Sequence, residues 1–142
     1  MPADIAPKYT AGRYSGAPIE GTRAGMYWVN IHALPTRTLY TLEALTLHEA
    51  VPGHHLQGAL QQELQDVPSF RRHDYVNAFG EGWGLYSERL GLEAGFYKDP
   101  YNHFGALTYQ GATSPWSPQM TVWSGDPVPE RLVRGGTPLR LQ

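Results

Sequence analysis

Three of the chain's six histidines and a carboxylate fall within His48-Glu49-Ala50-Val51-Pro52-Gly53-His54-His55, at the end of an apolar run. Neutral imidazoles and a carboxylate can hold a divalent ion. A second carboxylate that is not a ligand can take a proton from a water on that ion. The usual zincin arrangement puts histidines at i and i+4 on one helix face, with glutamate at i+1 as general base. Here position i+4 is Pro52, so that pattern is broken.

The break has a geometry. On a straight helix His55 returns nearly to the face of His48 but lies roughly 10 Å further along the axis, too far for one ion at about 2.1 Å from each nitrogen. His54 points to another side. Either pairing needs a distorted helix. Pro52 lacks the amide hydrogen that would bond the carbonyl of His48, and Gly53 tolerates unusual dihedrals, so Pro-Gly is expected to draw the next histidine back. The alternative is a helix that simply ends at Val51.

Several elements must position these residues. Leu39, Leu42, Ala44 and Leu45 recur at helical spacing up to His48, which predicts a buried helix capped by Thr36 or Thr38. Residues 25–31, aromatic and β-branched, predict one short strand with an available edge, whereas residues 7–21 read as loop. His32 is expected in a loop or at the surface. Residues 56–65 form a second helix, with Gly58 its weak point. A third helix opens at Ser69 or Asp74. Its stripe of Tyr75, Phe79, Trp83, Tyr86 and Leu90 is expected to be core, and Asn77, Glu81, Gly84 and Glu88 share the opposite face. Gly80, Gly82 and Gly84 around Glu81 imply close approach of another backbone. The His48 helix packed there would make Glu81 a third ligand; a solvated position is the default for Glu88.

Bulk properties narrow the class. A chain of 142 residues with 41% hydrophobic content suits one modest domain. Its formal net charge of −2, without basic or acidic blocks, argues against nucleic acid and anionic membranes as partners. With no cysteine, a metal must rest on His and carboxylate. Residues 1–8 lack the charged start and apolar stretch of a signal peptide, and no run reaches the roughly 18 apolar residues of a membrane helix. The chain as written is expected to be soluble and cytoplasmic.

HEAVPGHHLQ (residues 48–57) and EGWGLYSERL (residues 81–90) resemble the two signature stretches of the bacterial family called domain of unknown function eight-eight-five. Residues 21–30 and 99–105 fit as well, so the resemblance covers roughly residues 9–110. That family is similar to the mostly helical gluzincin zinc peptidases. The resemblance implies a mainly α fold, a fragment of a helical gluzincin-like metallopeptidase with one short edge strand. It implies Zn2+ held by His48, His54 and Glu81, with Glu49 as base. Matching Gly53-His54 to the Gly-His pair of the gluzincins favours His54, and helical phase favours His55. His54 is therefore taken as ligand, with His55 and Glu88 as alternative ligands or supporting residues. Tyr86, His103 and Tyr109 are candidates for oxyanion or substrate contact. The resemblance also casts residues 25–30 as the strand along which substrate lies.

The departures bear equally on function. Family members are several times longer, with helical portions forming the other wall of a channel, so missing parts of a parent chain are expected partners. Residues 1–110 are expected to form a partial catalytic core. Residues 111–142, rich in proline, glycine, serine and arginine without an apolar period, are expected to lie outside the fold, as from DNA read in another frame. The expected function is zinc-dependent hydrolysis of peptide or related amide bonds, little expressed by this chain alone. The alternative is a metal-binding domain without catalysis.

Overall fold

The computed structural model describes residues 1–113. An antiparallel pair of strands, β1 (Gly12–Ser15) and β2 (Met26–Val29), precedes helices α1 (Leu42–Glu49), α2 (His54–Glu63), α3 (Ser69–His73), α4 (Asn77–Glu93) and α5 (Pro100–Thr113). The fold is mainly α, as the sequence predicts. Helix α5 starts on Pro100, with Asp99 Oδ1 accepting the N–H groups of Tyr101 and Asn102 at 2.8 and 3.0 Å. It continues past the boundary expected at Gln110. The expected tail lies outside the described residues from residue 114 onward.

The expected single strand has a partner. Gly12, Arg13, Tyr14 and Ser15, read as loop, pair with Val29, Trp28, Tyr27 and Met26 respectively. Four residues that begin on Gly12 and stop before Gly16, without apolar alternation, carry too little pattern to reveal a strand; cross-strand pairing with Tyr27 and Trp28 stabilises it. Asn30 N–H donates to Ala11 O at 2.8 Å. In that register the peptide groups of Arg13 turn toward β2, and those of Gly12 and Tyr14 turn to the free edge. Buried Asn30 also donates its amide to the carbonyls of Ala6, Tyr9 and Thr10, tying the N-terminal segment to the sheet.

Helix α1 is the centre of the packing, set against α4, α5 and β1. Ala44, Leu45 and Leu47 are buried, and Tyr97 and Ala106 close the core around Ala44 and Leu47. Leu39 does not join them; it lies exposed in a 3-10 turn at Leu39–Thr41 before the helix.

Two expectations about the third helix need correcting. Residues 69–93 are two helices, since α3 ends at His73 and the chain is extended at Asp74 and Val76 before α4. The aromatic stripe is also not core: Tyr75, Phe79 and Tyr86 are exposed. Instead Gly84, Ser87, Glu88 and Gly91 are buried, toward α1, and Gly80 is buried against the Tyr75 ring. Small residues let α1 come close. A Cβ on Gly84 would sit 2.5 Å from the His48 ring, and one on Gly91 2.5 Å from Leu47 Cδ1.

Candidate metal centre

Helix α1 ends at Glu49, and the chain passes through Val51-Pro52-Gly53 to begin α2 at His54. Gly53 is required at that junction, because a Cβ there would run into the carbonyl group of His48. The junction sets the rings of His48 and His54 edge to face, with centroids 4.7 Å apart. Pro-Gly therefore ends one helix and starts another, and it brings His54 to His48 rather than His55. The His55 ring turns to β1 instead, where Nδ1 lies 3.2 Å from Tyr14 Oη.

Glu81, one turn into α4, completes the cluster. Its Oε2 is 3.5 Å from His48 Nε2 and its Oε1 3.9 Å from His54 Nε2. One donor atom from each of the three residues falls within 4.8 Å of the others. Donors about 2.1 Å from an ion at tetrahedral angles stand about 3.4 Å apart, so small side-chain movements would let these three hold one metal.

Each donor is oriented from behind. His48 Nδ1 is 2.7 Å from Glu88 Oε1, and Glu88 is fully buried. With that nitrogen donating, Nε2 presents its lone pair to the cluster. Glu88 is thus neither solvated nor within the triad; it supports His48. Its second oxygen, Oε2, is buried without a hydrogen-bond partner among the described residues. His54 Nδ1 faces Gln57 Oε1 at 3.3 Å. Tyr75 donates to Glu81 Oε1 at 2.9 Å, and its ring meets His54 edge-on. The sequence alone places Tyr75 in the core stripe, because nothing local distinguishes it from Phe79.

Electrostatics follow from this crowding. Burial opposes a charge on His48, but the carboxylates of Glu81 and Glu88 overcome it and raise its pKa to about 9. Burial and the neighbouring His48 charge lower that of His54, which favours the neutral imidazole a metal needs. The hydrogen bond with His48 outweighs burial and holds the Glu81 carboxyl below its ordinary range. Burial pushes the Glu88 carboxyl up, countered in part by His48.

Glu49 follows His48 on α1 and stands outside the triad. The Tyr14 N–H at the free edge of β1 donates to its Oε2 at 2.7 Å. Both residues line a cleft of about 570 Å³ with His48, His54, Glu81 and Tyr75. Strand β1 borders this cleft, and none of residues 25–30, expected to lie along substrate, lines it. Tyr109 lies beside the site, its ring 6.5 Å from that of His48. Burial, then the charges of Glu49 and Glu88, push its phenol up and keep the proton on. Tyr86 and His103 are not brought here. Tyr86 is exposed against Trp83, and His103 is exposed on α5.

A helical domain carrying a His-His-Glu cluster and an adjacent carboxylate outside it is the class that fold and site define. The chain belongs to the family described as bacterial protein of unknown function (DUF885), whose model matches residues 1–113. No curated protein matches it. Among solved structures it is similar to a putative lipoprotein from Colwellia psychrerythraea, at 34% identity and a TM-score of 0.74. That likeness covers 85% of this chain and 20% of the other, so the chain spans a small part of that protein's length.

Proposed function

We propose that this chain carries the metal centre of a zinc-dependent hydrolase of peptide or related amide bonds, of the gluzincin type. The observation that carries the reading is the His48-His54-Glu81 triad opening on a cleft beside a carboxylate, Glu49, that is not part of it. Two imidazoles and one carboxylate, leaving a position open, are a donor set suited to catalytic zinc. Zinc, when bound, supplies an electrophile for a scissile carbonyl and makes a water easier to deprotonate.

The chain's own residues supply the rest. Glu49 has one oxygen held by Tyr14 N–H, which fixes the carboxylate and leaves Oε1 to accept a proton and pass it to a leaving amine. Glu88 holds the His48 proton on Nδ1, and Tyr75 and Gln57 orient Glu81 and His54. Strand β1 borders the cleft, so an extended peptide laid in it would run alongside that strand. Tyr109, kept protonated, is the nearer of the expected hydroxyl donors.

The second reading, metal binding without turnover, is favoured by the exposed Phe79 and Tyr86, which leave the outer side of the helix bearing Glu81 uncovered. Glu49→Gln separates the two. It is expected to retain zinc, while in a chain of family length it lowers hydrolysis of a peptide roughly 10²–10⁴-fold. Unchanged turnover would remove Glu49 as base, and absence of turnover in the unsubstituted, zinc-loaded chain of family length would overturn the hydrolytic reading in favour of the second.

A further inference from the structure

The cleft is not uniformly acidic. Its metal end holds Glu49 and Glu81, but its walls also carry two half-buried arginines, Arg13 on β1 and Arg72 on α3. Among the described residues neither guanidinium has a carboxylate within salt-bridge distance. The Arg13 guanidinium lies 5.4 Å from the centroid of the Tyr9 ring and 5.2 Å from that of Trp28. Stacking of this kind fixes the plane of the group and leaves its edge N–H donors unspent. Arg72 donates Nη2 to Gln62 O at 3.2 Å and has its Nε buried, which leaves Nη1 without a hydrogen bond among the described residues.

Each of these guanidiniums has spare donors in the cleft that opens on the metal centre, and the fork of one such group suits the two oxygens of a carboxylate. We propose that the cleft takes peptides bearing a carboxylate, bound by Arg13 and Arg72. The inference rests on the hydrolase reading for what happens next, but not for the binding itself. Arg13 directly precedes Tyr14, whose N–H holds Glu49, so the anion is received on the strand that positions the base. A free α-carboxylate there would present bonds near the end of a short peptide. An acidic side chain is the other source of the same group.

Calorimetric binding to the 142-residue chain tests this, in chelated and zinc-loaded forms. The probes are tetra-alanine as free acid and as amide, and an acetylated, amidated peptide with an internal Glu or Gln. The free acid, or the Glu peptide over its Gln counterpart, is expected to bind about tenfold or more tightly, the effect of a hydrogen bond to a charged group. Whichever pair shows the preference identifies the source. The preference should persist after chelation, shrink in Arg13→Gln or Arg72→Gln, and return in part with lysine at the same position. Equal binding within both pairs, no binding of any probe, a preference confined to the zinc-loaded form, or one untouched in both glutamine variants would overturn the proposal. Because the chelated protein suffices, a failure to bind zinc would count against the hydrolase reading and leave this result standing.

Discussion

His48 is held by two carboxylates that do different work. Glu81 faces Nε2 within the triad, whereas Glu88 takes Nδ1 from a fully buried position and so sets which nitrogen is free. Orientation of this kind typically matters to affinity as well as geometry. Glu88→Ala is therefore expected to weaken zinc binding about 10–100-fold without removing a ligand. A competition titration against a chelator of known affinity would show it, and unchanged affinity would make Glu88 a packing residue only. His48 and His54 were legible as metal-ligand candidates because three imidazoles crowd into eight positions, and Glu81 because it stands among glycines on a later helix. Glu88 was legible only as an alternative ligand or supporting residue, with a solvated position as the default. A polar residue on a helix face is usually solvated, and nothing in the spacing says that α1 covers this one. Tyr75 escaped for a related reason, since its hydroxyl acts on Glu81 from outside regular structure.

Among the elements, the turn between α1 and α2 and the glycine face of α4 decide whether the ligands meet. A methyl group on Gly84 would press on the His48 ring, so Gly84→Ala is expected to cost about 1–3 kcal/mol and to reduce zinc occupancy. Gly58, inside α2, has only an ordinary contact with Tyr14 at 3.8 Å where a Cβ would be added. Gly58→Ala should therefore be neutral or stabilising by up to about 1 kcal/mol. Denaturant unfolding of the two variants checks the contrast; equal effects would mean that the glycines do not govern the approach of α1. Pro52-Gly53 was readable as a break and Glu81 as a residue among glycines awaiting a neighbour. Periodicity separated the two faces of α4 but could not say which one this chain buries. It missed β1 because Gly-Arg-Tyr-Ser has no alternation to detect.

For the whole molecule, the buried charge at His48 sets a pH dependence. Its pKa is raised from 6.5 to about 9, so the stability it contributes to the metal-free protein is fully present below pH 6.5 and is lost as pH rises through about 9. Thermal unfolding of chelated protein is expected to shift downward across that window, and to do so less in His48→Gln. A midpoint equally flat in both would contradict the assignment. Zinc uptake should run the other way, since binding must expel the proton: affinity rises about tenfold per pH unit up to about 9. No helix among the described residues is long and apolar enough to cross a membrane. The outer side of α4 exposes Phe79 and Tyr86, and with the apolar residues Leu60, Leu64 and Phe70 this favours association of the isolated chain. The measurement that bears most directly on the account is the zinc content of purified chain, reloaded after chelation, in single histidine and Glu81 variants. One zinc per chain in the wild type is expected to be lost in His48→Ala, His54→Ala and Glu81→Ala, and kept in His32→Ala, His55→Ala and His73→Ala. Full zinc in His48→Ala, or loss in His55→Ala with retention in His54→Ala, would contradict the centre described.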